Sequence, residues 1–433
     1  MLIIGGGLAG AEAAWRLASF GFKVRLLEMR PLKFTPAHQT DLLAELVCSN
    51  SLRAESPESA VGLLKEEMTR LGSLVMAAAK ATRVAAGKAL AVDRLAFSQF
   101  ITNRLTGLSE IELVRAEAIE IPKEGPAILA TGPLTSEALA QRLAALTGQA
   151  NLHFYDAIAP IVEADSIVLK HAFWASRYAE PETEADYLNC PLTEAEYDRF
   201  YKALLAAPQI KPRPFEEARY FEGCLPIEVM AERGRQTLLF GPLKPVGLTD
   251  PATGRQPFAV VQLRKEDQAG RYLSLVGFQT RLTQPAQKEV FRLIPALKEA
   301  VFVRLGSVHR NTFVQGPAVL NPDLSLKARP EVFLAGQITG VEGYVESAAC
   351  GLLAGEFVRQ RLLGQAFSPP PAQTALGALL GHATSSPAKD FQPSNIHFGL
   401  FLPLGQKIPR RHRHLAYAKR AREALEAWLV ARG

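Results

Sequence analysis

Residues 2–28 read LIIGGGLAGAEAAWRLASFGFKVRLLE, and this stretch decides the fold. The apolar run Leu2–Ile4 predicts a strand, the small and apolar residues after Gly10 predict a helix, and Val24–Leu27 predicts a second strand. Between the first strand and the helix lies a G-x-G-x-x-G loop that begins at Gly5. A glycine loop in this strand–loop–helix setting is typical of dinucleotide-binding α/β proteins.

Each glycine of this loop has a distinct task. Gly5 permits the tight turn, Gly7 lets the backbone approach a pyrophosphate, and Gly10 lets the helix pack closely on the strand. The helix N-terminus offers free N–H groups and a positive dipole end to the phosphates, and Glu28 stands where an acid accepts hydrogen bonds from the adenosine ribose. The predicted cofactor contacts of this unit are Gly5, Gly6, Gly7, Leu8, Ala9, Gly10, Glu28 and Arg30. The alternative is a glycine-rich turn that binds nothing.

Length and composition describe an ordinary globular protein. The 433 residues are 48% apolar and 21% charged, which suffices for a large core and two domains. No apolar run approaches the ~20 residues of a membrane helix. The start contains the glycine loop and lacks a basic leader, which predicts a cytoplasmic protein. The net charge of +6 weakly favours a polyanionic partner.

The four cysteines are Cys48, Cys190, Cys224 and Cys350, and none of them forms a C-x-x-C pair. This spacing argues against a zinc or iron–sulfur site, so no metal is expected. Cys48 and Cys224 lie in polar, turn-rich strings, where a thiol can be reactive. The alternative for both is the usual fate of a free cysteine, a small buried apolar residue. Cys190 and Cys350 are expected to be structural.

The chain order predicts a discontinuous domain. Residues 127–132 form a buried strand followed by a small-residue turn, and residues 331–349 repeat the strand–glycine–helix pattern near the end of the chain. We therefore expect an α/β fold in which residues 1–150 and 305–433 form a Rossmann-like FAD-binding domain of the flavoprotein type. Residues 151–304 form an inserted α+β domain.

Several elements follow from local patterns. The sequence predicts an amphipathic helix at 62–81, a strand at 155–162, a helix at 193–206, antiparallel strands at 237–240, 258–263 and 272–278, a linker or mobile loop at 367–388 and a basic helix at 407–429. The basic tail carries Lys407, Arg410, Arg411, Arg413, Lys419, Arg420 and Arg422. It is interpreted either as a surface for nucleic-acid phosphates or as a solvated helix face.

Seven strings carry a closer resemblance. They are LVCSNSLR (46–53), ALAVDR (89–94), ATGPLTS (130–136), DYLNCP (186–191), FGPLKPVGL (240–248), HRNTF (309–313) and AGQITGVEGY (335–344). In these strings, and from its first residue to about residue 430, the chain resembles the folate- and FAD-dependent tRNA uracil-5 methyltransferases. The glycine loop is shared with many flavoproteins, whereas the strings around Cys48, Cys224 and Phe240 are more particular.

The resemblance implies a reaction. 5,10-Methylenetetrahydrofolate supplies a one-carbon unit to C5 of the T-loop uridine (position 54) of tRNA, reduced FAD supplies electrons, and NADH or NADPH reduces the flavin again. It also implies that Cys48 and Cys224 are catalytic. One thiolate attacks C6 of uracil and the other group aids proton removal from C5; which cysteine does which stays open. The further FAD contacts expected at the two later turns are Thr131, Gly132, Gly336, Gln337, Gly343 and Tyr344.

Some alternatives stay open. Tyr344 is predicted to stack on flavin or pterin or else to pack in the core, and His309 either contacts folate or pairs with local backbone. Three rival functions remain: a flavin enzyme that modifies wobble uridines of tRNA, a small-molecule FAD oxidoreductase, and a non-catalytic RNA-binding module. The wobble-uridine enzymes are usually longer, and an oxidoreductase does not explain the cysteine strings. The oligomeric state and the choice of NADH or NADPH are not determined.

Overall fold

A computed structural model describes residues 1–149, 152–177, 185–210, 225–387, 391–406 and 408–432. The strands are β1 Leu2–Ile4, β2 Val24–Glu28, β3 Ser51–Ala54, β4 Arg83–Val84, β5 Ala89–Val92, β6 Ile111–Arg115, β7 Ala127–Leu129, β8 Leu152–Ala157, β9 Ile161–Glu163, β10 Phe173–Ala175, β11 Tyr187–Leu192, β12 Ala259–Lys265, β13 Tyr272–Leu275, β14 Phe302–Arg304, β15 Val308–Phe313, β16 Ser325–Leu326 and β17 Arg329–Leu334. The helices are α1 Leu8–Ala18, α2 Ala60–Arg70, α3 Leu74–Ala81, α4 Arg94–Thr106, α5 Glu137–Thr147, α6 Glu194–Ala206, α7 Ile227–Glu232, α8 Thr237–Phe240, α9 Gln284–Phe291, α10 Gly316–Val319, α11 Tyr344–Leu362, α12 Ala375–Ser385 and α13 Arg413–Val430.

A six-stranded sheet with the order β16-β17-β7-β1-β2-β6 forms the first layer. Its strands β17, β7, β1, β2 and β6 run parallel, with β1 between β2 and β7. Helices α1 and α11 pack closely because both carry small residues: a Cβ added at Gly351 would lie 2.1 Å from the Ala9 carbonyl oxygen. This arrangement confirms the predicted Rossmann-like α/β fold, built from both ends of the chain.

A second six-stranded sheet has the order β10-β11-β12-β13-β9-β14, and its pairs are antiparallel. Its own apolar core contains the fully buried rings of Tyr197, Phe200, Phe278 and Phe291. All strands of this sheet lie between residues 161 and 304, as an inserted α+β domain requires. The proposed boundaries at 150 and 305 themselves remain a prediction. Strands β8 and β15 pair with each other in a separate two-stranded antiparallel ribbon.

Two predictions about local structure were wrong. Residues 237–240 form the short helix α8 rather than a strand, because a four-residue apolar run carries too little periodicity to separate the two. Within the predicted linker 367–388, residues Ala375–Ser385 form the largely buried helix α12. The Thr374 side chain accepts the Gly377 N–H, which begins this helix despite its small and glycine-rich sequence.

Three other predictions needed new bounds. The single helix expected at 62–81 is two helices, because Ser73 caps a new start at α3 after the turn at Gly72. The strand expected at 155–162 is divided between β8 and β9, with Pro160 in the break. The basic tail helix begins at Arg413 after a turn at 410–412, and Lys407 lies outside the described residues.

No helix within the described part of the chain is long and apolar enough to cross a membrane. Among the same residues, no group of three or more histidine, cysteine, aspartate or glutamate side chains is arranged to hold a metal ion.

Candidate functional site

A groove lies where the parallel strands β1, β2 and β7 end. This is where ligands bind in open α/β sheets. The predicted contact residues that line it are Gly5, Gly7, Leu8, Ala9, Glu28, Arg30, Thr131, Gly132, Gly336, Gln337 and Tyr344. The remaining three predicted contact residues do not line the groove and instead belong to the turns that shape it: Gly6, Gly10 and Gly343.

The glycine loop has the geometry that its sequence predicts. Gly5 has a φ of +104°, and a Cβ there would lie 2.5 Å from the Ala130 carbonyl oxygen. A Cβ at Gly10 would lie 1.8 Å from the Gly5 carbonyl oxygen, so only glycine lets helix α1 start this close to the turn. At Gly7 a Cβ would meet nothing within 4 Å. The loop is therefore tightly packed at both ends and open in the middle.

Glu28 lies at the end of β2 and is almost fully buried. Its carboxylate accepts the Gly6 N–H at 2.9 Å and the Arg30 N–H at 3.0 Å, and it forms an ion pair with the Arg30 guanidinium at 2.9 Å. Arg30 is also paired with Glu45 at 2.9 Å. Burial raises the pKa of Glu28, but Arg30 and the amide hydrogen bonds outweigh burial and hold that pKa below its usual range.

The residues of the groove fit a dinucleotide. Helix α1 begins at the open Gly7 with no side chain capping its N-terminus, so its first N–H groups are available to phosphate oxygens. The Ser136 hydroxyl also lines the groove, and its oxygen is buried with no hydrogen-bond partner among the residues that the structure describes. A buried polar atom without a partner is unusual in a native protein, and a polar ligand would satisfy it.

The second glycine turn closes the other side of the groove. Gly336 has a φ of +83°, and a Cβ there would lie 2.7 Å from the Ala9 Cβ. The Gln337 side-chain amide donates to the Glu342 carboxylate at 2.6 Å, which fixes the turn that precedes α11. Gly343, with a φ of +103°, is the residue from which α11 begins. Tyr344, the first residue of α11, thereby faces the groove.

Cys48 is half-buried and adjoins the groove through its neighbour Val47 and through Tyr344. The Cys48 N–H donates to the Tyr344 hydroxyl oxygen at 2.6 Å, and the Ser49 N–H donates to the same oxygen at 3.2 Å. The thiol itself lies 3.7 Å from the Ala157 carbonyl oxygen. Burial, with a smaller contribution from Cys48, raises the pKa of Tyr344 well above its usual range, so the tyrosine stays protonated.

Three arginines from separate elements interact electrostatically with Cys48: Arg94, Arg264 and Arg304. Arg94 is paired with Glu266 at 2.8 Å, and its guanidinium also donates to the Leu46 carbonyl. Arg304 donates to the Ala37 carbonyl at 3.1 Å. Arg264 and Arg304 belong to the antiparallel sheet, so the cysteine lies where the two sheets meet.

The other cysteines behave as expected where the structure describes them. Cys190 and Cys350 are both buried in the apolar cores, as predicted. Burial raises the pKa of Cys190 to about 12, which keeps this thiol neutral. Cys224 lies outside the described residues, and so does the side chain of His309; their predicted roles stay predictions.

The sequence patterns predict no functional role for Arg94, Arg264, Arg304 or Ser136. Arg94 and Ser136 lie within two of the strings quoted for the resemblance, which was the available signal. The sequence offered no such signal for Arg264 and Arg304 of the inserted domain, because an arginine in a strand pattern is ordinarily exposed to solvent.

The parallel sheet, the glycine loop and the groove above it define a dinucleotide-binding protein of the flavoprotein type with an inserted antiparallel domain. The family model for glucose inhibited division protein A matches residues 1–366. Relatives from Geobacter sulfurreducens and Heliobacterium modesticaldum named methylenetetrahydrofolate--tRNA-(uracil-5-)-methyltransferase TrmFO are each 58% identical over 99% of this chain and over 98% and 97% of their own lengths. The chain belongs to this TrmFO family.

Two further comparisons agree with this assignment. A TrmFO from Aquifex aeolicus is 55% identical over 99% of this chain and 96% of its own length. Two crystal forms of Aquifex aeolicus GidA align with 98% of this chain at TM-scores of 0.67 and 0.69 and cover 73% and 75% of those chains. At 17% identity, the GidA structures show that the fold is shared.

Proposed function

We propose that this protein is a tRNA methyltransferase that moves the one-carbon unit of 5,10-methylenetetrahydrofolate to C5 of the T-loop uridine (position 54) of tRNA. The observation that carries the proposal is the position of Cys48. Its half-buried thiol lies beside the groove and among three arginines, and its backbone is fixed to Tyr344. Membership of the TrmFO family supports the same activity.

The chemistry requires a nucleophile because C5 of uracil is itself a poor one. A thiolate that adds to C6 makes C5 enolate-like, so that C5 can form a bond to the methylene carbon, whose two bonds to the folate nitrogens break in the course of the transfer and release tetrahydrofolate. A base then removes the C5 proton, and the thiolate leaves C6. We propose that Cys48 and Cys224 divide these two tasks. Bound FAD, once reduced, supplies the electrons that convert the methylene group into a methyl group.

The residues of the groove have complementary tasks in this scheme. Gly7 and the N-terminus of α1 receive the phosphates of FAD, and Glu28 receives its ribose. Tyr344 lies between this groove and the Cys48 loop, where its ring would be placed to stack on flavin or pterin. We further propose that NADH or NADPH reduces the flavin, that no metal takes part and that the enzyme works in the cytoplasm, where tRNA is found.

The test is methylation of a T-loop tRNA transcript by the FAD-loaded protein, with the product nucleoside identified by mass spectrometry. Cys48→Ala and Cys224→Ala should each lose several orders of magnitude in rate while keeping the flavin spectrum, since neither is among the residues proposed to hold the phosphates or the ribose. Cys190→Ala is the matched control, because Cys190 is equally a free thiol but is sealed in the core.

The assay separates the proposed reaction from two of the alternative functions. Near-normal turnover by a cysteine variant with FAD bound would show that this thiol has been misassigned. Modification at the wobble position in place of the T-loop would support the wobble-uridine reaction. A protein that consumes NADPH on small substrates and leaves tRNA unchanged would be an oxidoreductase.

A further inference from the structure

Arg264 reaches from the inserted domain into the Cys48 loop. It lies on β12 and is only 8% exposed. Its Nε donates to the Asn50 side-chain oxygen at 2.9 Å, and its Nη2 donates to the Ser49 hydroxyl at 2.8 Å. A single side chain thus contacts both residues that follow the cysteine in sequence.

The loop that Arg264 holds is itself rigidly anchored. Asn50 is fully buried, and its side-chain nitrogen donates at 2.9 Å to the carbonyl oxygens of both Val92 and Lys265. Lys265 is the next residue of β12, so the loop is bonded to two successive residues of the inserted domain. The position of Cys48 therefore depends on how that domain is docked.

The charge of Arg264 has no anionic partner among the described residues. Both of its hydrogen bonds go to uncharged side chains, and the neighbouring acid Glu266 is paired with Arg94 instead. Burial lowers the pKa of Arg264 from its ordinary value, and Glu266 only partly offsets that effect. A buried cation without a counter-ion is costly, and it attracts any group nearby that can become an anion.

The groups that face this charge can be named from every neighbouring element. Its electrostatic neighbours are Glu266 and Tyr187 from its own sheet, and Arg94 and Cys48 from the FAD-binding domain. Tyr344 and Arg304 also interact with Cys48. Of the groups that can become negative, Glu266 is already paired, and burial raises the pKa values of both Tyr187 and Tyr344. The Cys48 thiol is the remaining acid at the loop that Arg264 grips.

We propose that Arg264 is a positioning residue for methyl transfer, which supplies from the inserted domain the positive charge that favours the Cys48 thiolate and fixes the Ser49–Asn50 backbone. This inference rests on the proposed function only in requiring that Cys48 act as a thiolate. It predicts that thiol reactivity is linked to domain docking, since the charge and the thiol belong to different sheets.

The test follows alkylation of Cys48 by iodoacetamide in the FAD-loaded protein, with the modified cysteine assigned by peptide mass spectrometry. Arg264→Gln should slow alkylation of Cys48 at neutral pH about tenfold, because one nearby unscreened charge is lost. Raising the pH should restore the alkylation rate of Arg264→Gln. The alkylation rate of Arg264→Lys should stay close to that of the wild type. Arg271→Gln is the matched control, since Arg271 lies on the same hairpin but is 69% exposed and paired with Asp267.

The proposal is overturned if Arg264→Gln with an intact flavin spectrum is alkylated as fast as wild type, or if Arg271→Gln is slowed equally. A slowing that high pH does not reverse would also overturn it, because that result indicates only a displaced loop. Should Arg264→Gln fail to fold, the folded Arg264→Lys variant decides: a wild-type alkylation rate with a lower kcat supports the proposal, and slow alkylation refutes it. Failure of the proposed function would appear separately, as wild-type protein that makes no 5-methyluridine.

Discussion

Replacing Gly7 by alanine separates cofactor binding from folding. The added methyl group meets no protein atom within 4 Å, and the backbone φ of −72° suits any residue. Alanine is a poorer N-cap than glycine, so we expect the free energy of unfolding to fall by less than about 1 kcal/mol. The methyl group would occupy the open middle of the loop, where the pyrophosphate must come closest. We therefore expect FAD affinity to fall at least about tenfold, or about 1.4 kcal/mol.

The assay is titration of apoprotein with FAD, followed by flavin fluorescence, beside a thermal melt of each apoprotein. Gly10→Ala serves as the opposite case, because its Cβ would lie 1.8 Å from the Gly5 carbonyl oxygen and must damage the fold. Gly381→Ala is the control: it also meets nothing within 4 Å, but it lies in α12, away from the groove. If Gly7→Ala binds FAD as tightly as wild type, the cofactor does not pass over Gly7 and the assignment of the loop is refuted.

Two further predictions concern pH and tRNA. Burial raises the pKa of Glu67 from 4.5 to about 8, so the unfolded chain loses this proton first as the pH rises. Relative to Glu67→Gln, the free energy of unfolding of the wild type should have its full value below about pH 4.5 and fall by up to about 5 kcal/mol by pH 8. If denaturation gives the same difference in unfolding free energy between the two proteins at pH 5 and at pH 8.5, the prediction is contradicted. Reversing the exposed Arg410, Arg411 and Arg413 to glutamate should weaken binding of all tRNA species alike and flatten its salt dependence. Unchanged binding by filter assay would mean that the tail is only a solvated surface.

The parts of the fold that the sequence predicted are those set by local chemistry. The glycine loop, α1 and β2 follow from residues that are close in sequence, and the close contacts at Gly5 and Gly10 are made within the same thirty residues or with the adjacent strand β7. The burial of Cys350 followed in the same way from the small residues of its own helix. In these cases the residues that form the sequence pattern also make the contacts that fix the structure.

Helix α12 shows where local chemistry is not enough. The segment 367–388 that contains it is rich in proline, alanine, glycine and serine and favours a loop. The buried carboxyl group of Glu67, which belongs to α2, accepts the N–H groups of Ala375 and Leu376 at 2.8 Å and so holds the first turn. A cap supplied from about three hundred residues away is not visible in the sequence of the helix that it stabilises.

The Cys48 site extends the same limit from folding to chemistry. The sequence and the resemblance predicted a role for the Cys48 thiol, because the string 46–53 that contains it is one of those that carry the resemblance. What surrounds the thiol depends on tertiary contacts: Arg264 bonds to Ser49 and Asn50 only because β12 lies against the loop. No described residue forms an ion pair with Arg264 that would offset the cost of burying its charge, whereas a Cys48 thiolate would offset that cost. On the role proposed for Arg264, the Cys48 thiol lies in one domain and the charge that favours its thiolate lies in the other, so the inserted domain must be docked before the thiol can react.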